Sequence, residues 1–197
     1  FDREDWRGRD CSRGAVPRIS WRRLSRLARL NSNSCNCTSD APAGCGVAAQ
    51  PGQTILVQDG TYREALFTRR GGNAQEGPIT ILAQNKGQVK ITKKRRLLTV
   101  NHPHIIFSGL EFDAQFSTTN GAIRVKQGAE NLLLQDITLK NNARHGINIS
   151  YAPQVSIMNS LIHSCLWFED ADQEDTQFKR IDAHGLVATG VKELMVV

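Results

Sequence analysis

Three nine-residue stretches decide the fold. His104–Phe112 (HIIFSGLEF), Asn131–Leu139 (NLLLQDITL) and Gln154–Ile162 (QVSIMNSLI) align without gaps, and Glu193–Val197 (ELMVV) begins a fourth copy. Their starts are 27, 23 and 39 residues apart. Ahead of three copies stands a glycine-led run: Gly121-Ala122-Ile123-Arg124-Val125, Gly146-Ile147-Asn148-Ile149 and Gly185-Leu186-Val187-Ala188. Each repeat therefore supplies at least two strands and two turns, a unit of about 25 residues that cannot bury its own apolar face and must stack on a neighbour. The pattern predicts a parallel solenoid.

Working outward, Thr54–Gln58, Ile79–Ala83, Val89–Thr92, Leu97–Val100 and Ile105–Phe112 are short runs rich in Ile, Val, Leu or Phe. Gly, Asn, Asp and Pro break them, and none is long enough for an ordinary helix. The reading is all-β. Leu134-x-x-Ile137-x-Leu139-x-x-Asn142 also fits a leucine-rich repeat. That architecture needs a helical or extended outer face where this chain has a second glycine-led strand. A parallel β-helix accounts for both strands and for Asn141-Asn142 at a turn, where Asn tolerates the left-handed conformation.

The chain carries 25 Lys+Arg against 19 Asp+Glu, a net charge of +6. Nine Arg and four acids fall in residues 1–30, a balance of +5, which leaves +1 for the remainder. Residues 1–49 read as a poorly ordered Arg-rich leader followed by a Ser/Asn/Gly linker, and residues 50–197 as the coils. A membrane-surface helix over Arg18–Leu30 and a nucleic-acid arm are the competing readings of the leader. The nearly neutral remainder argues against nucleic acid as a partner. No apolar run approaches the ~20 residues that span a bilayer. Cys35-x-Cys37 lacks the spacing of a zinc ribbon, and the odd total of five cysteines leaves the redox compartment open.

Gln50-Pro51-Gly52-Gln53-Thr54-Ile55-Leu56-Val57-Gln58-Asp59-Gly60-Thr61-Tyr62-Arg63-Glu64 resembles the opening coil of the right-handed parallel β-helix proteins of the pectate-lyase-like superfamily. Gly77–Ala83, Gly87–Ile91 and Ile105–Phe112 continue the likeness, which is nearest to the alginate-lyase and chondroitinase-B group. The resemblance implies the N-terminal part of a right-handed β-helix, with the C-terminal coils incomplete because Glu193–Val197 falls within a repeat. It also implies a secreted or periplasmic monomer acting on an acidic, uronate-containing polysaccharide by β-elimination or epimerisation. The alternative is a non-catalytic β-helix for glycan binding or surface attachment.

Such chemistry needs a base against the sugar and a cation to neutralise the uronate, because an ionised carboxylate beside the reacting carbon opposes carbanion formation. His184 in Asp182-Ala183-His184-Gly185 is the candidate base. In an extended segment Asp182 shares its face and can orient the imidazole. That spacing resembles a motif of the mannuronan epimerases, matched only at Asp182 and His184. His145-Gly146 occupies the same repeat position, which also fits a recurring polar turn.

Lys93-Lys94-Arg95-Arg96 forms a basic turn suited to an anionic polymer. An insertion near 166–181 carries Glu169-Asp170-Ala171-Asp172-Gln173-Glu174-Asp175. Asp170, Asp172 and Asp175 are its candidate ligands for Ca2+, and Trp167 its candidate sugar-stacking residue. A solvated loop is the plainer reading of the same acids. His102-Pro103-His104 reads as a turn.

Overall fold

The computed structural model describes residues 34–37, 49–93, 95–117, 120–165 and 184–197. Strand β1 (Ser34–Cys37) precedes a series of triplets. The first two are β2 (Thr54–Val57), β3 (Gly60–Tyr62) and β4 (Leu66–Phe67), then β5 (Ile79–Ala83), β6 (Val89–Thr92) and β7 (Leu98–Val100). Next come β8 (Ile105–Ser108), β9 (Leu110–Ser117) and β10 (Ile123–Val125), then β11 (Leu132–Gln135), β12 (Thr138–Asn142) and β13 (Ile147–Ser150). The order closes with β14 (Val155–Met158), β15 (Leu161–Cys165), β16 (Leu186–Thr189) and β17 (Leu194–Val196).

Corresponding members of the triplets pair in parallel. Sheet 1 runs β1-β2-β5-β8-β11-β14-β17, sheet 2 β3-β6-β9-β12-β15 and sheet 3 β4-β7-β10-β13-β16. The chain visits the sheets in that order and climbs one rung per circuit, a parallel β-helix of about four turns with no helix among the described residues. The leucine-rich alternative falls, because each rung has three strands and no helical outer face among the described residues.

The repeat offsets reappear as register: Ile105 pairs with Leu132, Leu132 with Val155 and Val155 with Leu194. Alternation then fills the interior with stacks of like residues. Ile55, Ile81, Phe107, Leu134 and Ile157 form one column in sheet 1. Tyr62, Ile91, Phe112, Leu139 and Ile162 form another in sheet 2. Leu66, Leu98, Ile123, Ile147 and Leu186 form the third, in sheet 3. Tyr62 reaches the core by donating its hydroxyl to the Gln58 carbonyl at 2.8 Å.

Two features differ from the sequence expectation. Each nine-residue block is two strands, because its sixth residue turns a corner: Gly109, Asp136 and Asn159 have φ of 76°, 54° and 48°. Gly, Asp and Asn are the residues that enter this left-handed region most readily. Ser34–Cys37, within the stretch read as linker, pairs in parallel with Thr54–Val57. The linker reading rests on the Ser, Asn, Ala and Gly of residues 31–50.

Asn141 takes the expected left-handed conformation at φ 57°. Its neighbour Asn142 is fully buried and donates from Nδ2 to the His145 carbonyl. Asn142→Ala is expected to lower stability by about 1–3 kcal/mol, the loss of a buried hydrogen bond with its packing. A thermal unfolding midpoint unchanged from wild type would contradict it.

His102 and His104 lie in the connection from β7 to β8, as the turn reading expects. His102 Nδ1 is 2.9 Å from Thr68 Oγ1, and burial lowers its pKa from the ordinary value. The unfolded chain therefore binds more protons than the folded one in a window opening at about pH 6.5, so stability falls as pH drops through it. A His102→Gln variant is expected to show a flatter dependence of the unfolding midpoint on pH in that window.

Candidate polyanion-binding corner

The connections from sheet 2 to sheet 3 share one corner of the solenoid. Among the described residues they comprise 63–65, 93, 95–97, 120–122, 143–146 and 184–185. The described part of the basic turn and the strand entered through His184 therefore belong to the same corner. Lys94, Trp167, Asp170, Asp172, Asp175 and Asp182 lie outside the described residues.

Register fixes the rest. Leu98, Ile123, Ile147 and Leu186 pair in series across sheet 3. Two residues earlier on each rung stand Arg96, Gly121, His145 and His184; of these His145 and His184 are in contact. Two residues singled out in sequence, Arg96 and His184, thus enter the same sheet three rungs apart, and His145 enters it on the rung below His184. The glycine alignment shifts by one rung position: Gly146 and Gly185 correspond, whereas Ala122 takes that place below them.

Buried Leu97 anchors the basic turn, with its N–H bonded to the Ala122 carbonyl at 2.8 Å. This draws Arg96 partly inward while Lys93 and Arg95 stay exposed. Together with Glu64, Ala65 and Phe67, these three cations line a surface depression. Arg124 projects outward from β10, because its neighbours Ile123 and Val125 face the core. Arg144 precedes His145 at the corner one rung higher.

The Nε atoms of Arg96, Arg124 and Arg144 are buried and have no hydrogen-bond partner among the described residues. Burial, and then the like charge of Arg124, push the Arg96 guanidinium pKa down. Sheet 2 behaves differently. There Lys140 Nζ lies 2.8 Å from Glu111 Oε1, and the hydrogen bond to Glu111 raises the lysine pKa. Asn141 Nδ2 meanwhile donates to Asp113 Oδ1 at 3.1 Å. Sheet 2 neutralises its charges; the corner into sheet 3 accumulates cations that repel one another. Like charges held together cost stability, and Glu64 is the carboxylate that shares the depression with Lys93, Arg95 and Arg96.

At the upper end of the corner, His184 Nδ1 is 3.3 Å from His145 Nδ1, and the ring centroids are 5.2 Å apart. The ladder holds the pair in place: the Gly146 N–H donates to the His184 carbonyl at 2.8 Å, and the Ala122 N–H to the His145 carbonyl at 3.2 Å. His184 is exposed and so available to a ligand on the surface.

Comparison with protein families places residues 47–181, more than half of the chain, on the family described as Chondroitinase B. The chain belongs to the chondroitinase B family. Comparisons with curated proteins and with solved structures gave no match. The span shared with the chondroitinase B family runs from β2 through β15 and includes Arg96, Arg124, Arg144 and His145, while His184 stands three residues beyond it. In this chondroitinase B family member, Arg124, Arg144 and the pairing of His145 with His184 escape a linear reading. Each is a single polar residue in a strand or turn, and only the stacking of rungs brings it to the others. Among the described residues no helix is long and apolar enough to cross a membrane.

Proposed function

We propose that the chain acts on an acidic, uronate-containing polysaccharide by β-elimination, with the polymer seated on the corner between sheets 2 and 3. The observation that carries this reading is the set of three arginines, Arg96, Arg124 and Arg144, with buried Nε atoms and no hydrogen-bond partner for them among the described residues. Membership of the chondroitinase B family supports a polysaccharide as the substrate. Secretion as a monomer belongs to the same proposal.

The guanidinium groups supply fork-shaped donors that match a carboxylate or sulfate in two contacts. Held against a uronate, they neutralise the carboxylate and stabilise the charge that develops when the adjacent carbon loses its proton. Neutral His184 takes that proton. The released electron pair forms the ring double bond, and the bond to the leaving glycosidic oxygen breaks, the oxygen taking up a proton. His145, against His184, orients the base and limits its rotation. Lys93 and Arg95 extend the cationic track along the polymer, and Lys94 and Trp167 are proposed to join it. Asp182 is proposed to orient His184 from the other side.

The Ca2+ expectation rests on Asp170, Asp172 and Asp175, outside the described residues. Among the described residues no three of His, Cys, Asp and Glu stand together as a metal site, and no step above runs through calcium. Bound there, Ca2+ would add to neutralisation of the uronate.

Incubation with alginate, pectate and chondroitin, with and without EDTA, tests the proposal through the ultraviolet absorbance of unsaturated uronate. A rise on one polymer that is lost in His184→Ala is the expected result. Absence of a rise on every polymer with calcium present would overturn the lyase step. Polymer retention without turnover, unchanged in His184→Ala, would favour the non-catalytic glycan-binding alternative.

A further inference from the structure

The histidine pair has a second chemistry that proton transfer does not use. Two imidazole nitrogens bound to one metal ion at about 2.05 Å stand about 2.9 Å apart at a right angle and about 3.3 Å apart at the tetrahedral angle. The Nδ1 atoms of His145 and His184 are 3.3 Å apart, which is the bite of a chelate. The two residues come from adjacent rungs and are fixed by the ladder bonds from Gly146 and Ala122. Asn142 also holds the His145 carbonyl from inside the core. Little reorganisation is needed to bring both nitrogens to a metal.

We infer that His145 Nδ1 and His184 Nδ1 form a two-ligand site for a divalent transition-metal ion such as Ni2+, Cu2+ or Zn2+. Imidazole suits these ions, whereas Ca2+ takes oxygen ligands, so the site is chemically distinct from one built of the acidic insertion. No third His, Cys, Asp or Glu joins the pair among the described residues. Cys165 lies nearby, its Sγ 2.9 Å from where a Cβ on Gly146 would sit. Burial raises the pKa of that thiol in the metal-free chain. Water completes the coordination, and the site is weaker than a closed four-ligand one. Arg144, next in sequence to His145, opposes a dication and favours the ions with the strongest imidazole affinity.

Metal on His184 Nδ1 leaves the ring proton on Nε2, so a metal-bound His184 cannot take the substrate proton there. The inference rests on the assignment of His184 as base only for its consequence, inhibition, and not for the binding itself. Titration calorimetry of the full chain with Ni2+ at neutral pH separates the two. One equivalent is expected to bind the wild type and His163→Ala, and to bind at least about tenfold more weakly in His184→Gln and in His145→Ala. Circular dichroism of each variant checks that the fold persists, and the exposed position of His184 makes His184→Gln the safer substitution. Equal Ni2+ affinity in the wild type and His184→Gln would overturn the site, whatever the lyase assay shows. Loss of binding in His184→Gln, with no lyase activity in the wild type, would keep the metal site and remove its inhibitory consequence.

Discussion

Reversing two charges, Arg96→Glu with Arg124→Glu, is expected to weaken binding of an acidic polysaccharide by about two orders of magnitude. Each half-buried guanidinium paired with an anion is worth about 1.5–3 kcal/mol, and every 1.4 kcal/mol is about tenfold in affinity. Stability is expected to respond the other way to a milder change. Burial lowers the Arg96 pKa first, and the like charge of Arg124 adds to it. Arg124→Gln should therefore leave the unfolding midpoint unchanged or raise it while it weakens binding. A residue retained only for packing would show the reverse pattern, a lower midpoint with binding intact. Added salt should erase much of the difference between wild type and variant, because the surface charges are screened over about 10 Å at about 0.1 M.

Phe112→Ala carries the largest expected cost to the fold, about 3–5 kcal/mol. Phe112 is fully buried in the sheet 2 column, between Ile91 on one rung and Leu139 on the next. A rung of a solenoid has no other core to fall back on, so the cavity opens in the stack that couples one coil to its neighbours. Denaturant unfolding should shift to a lower midpoint. Should the coils above and below then separate in cooperativity, the transition would broaden. A midpoint within error of wild type would mean that the stack does not couple the rungs.

The solenoid was legible in the sequence because its register is set by apolar residues that recur at aligned positions. Ile105, Leu132, Val155 and Leu194 fall in one column, as the gap-free alignment of the blocks predicts. The third sheet was harder to see. Ile105 to Phe112 reads as one run of eight, although the corner was present at the sixth place of each block as Gly109, Asp136 and Asn159. That place alternates among three residues united only by their tolerance of positive φ.

The site was less legible for a different reason. Four adjacent cations at 93–96 stand out in a linear scan, whereas Arg124 and Arg144 are isolated among neutral neighbours. Arg124 acquires meaning from Arg96 on the rung below, and His145 from His184, 39 residues away and 3.3 Å apart at Nδ1. His145 and His184 share a repeat position, which fits a structural turn in sequence and becomes a pair in space. Such contacts are properties of stacking and leave no local pattern.

Amide hydrogen exchange of the full chain, with and without a saturating acidic polysaccharide, tests the central claim most directly. Protection confined to peptides spanning 93–97, 120–125, 144–148 and 184–187 is the predicted result. Protection centred on the outer face of sheet 1, around Leu133, Ser156 and Met195, or no protection with any uronate polymer, would contradict it.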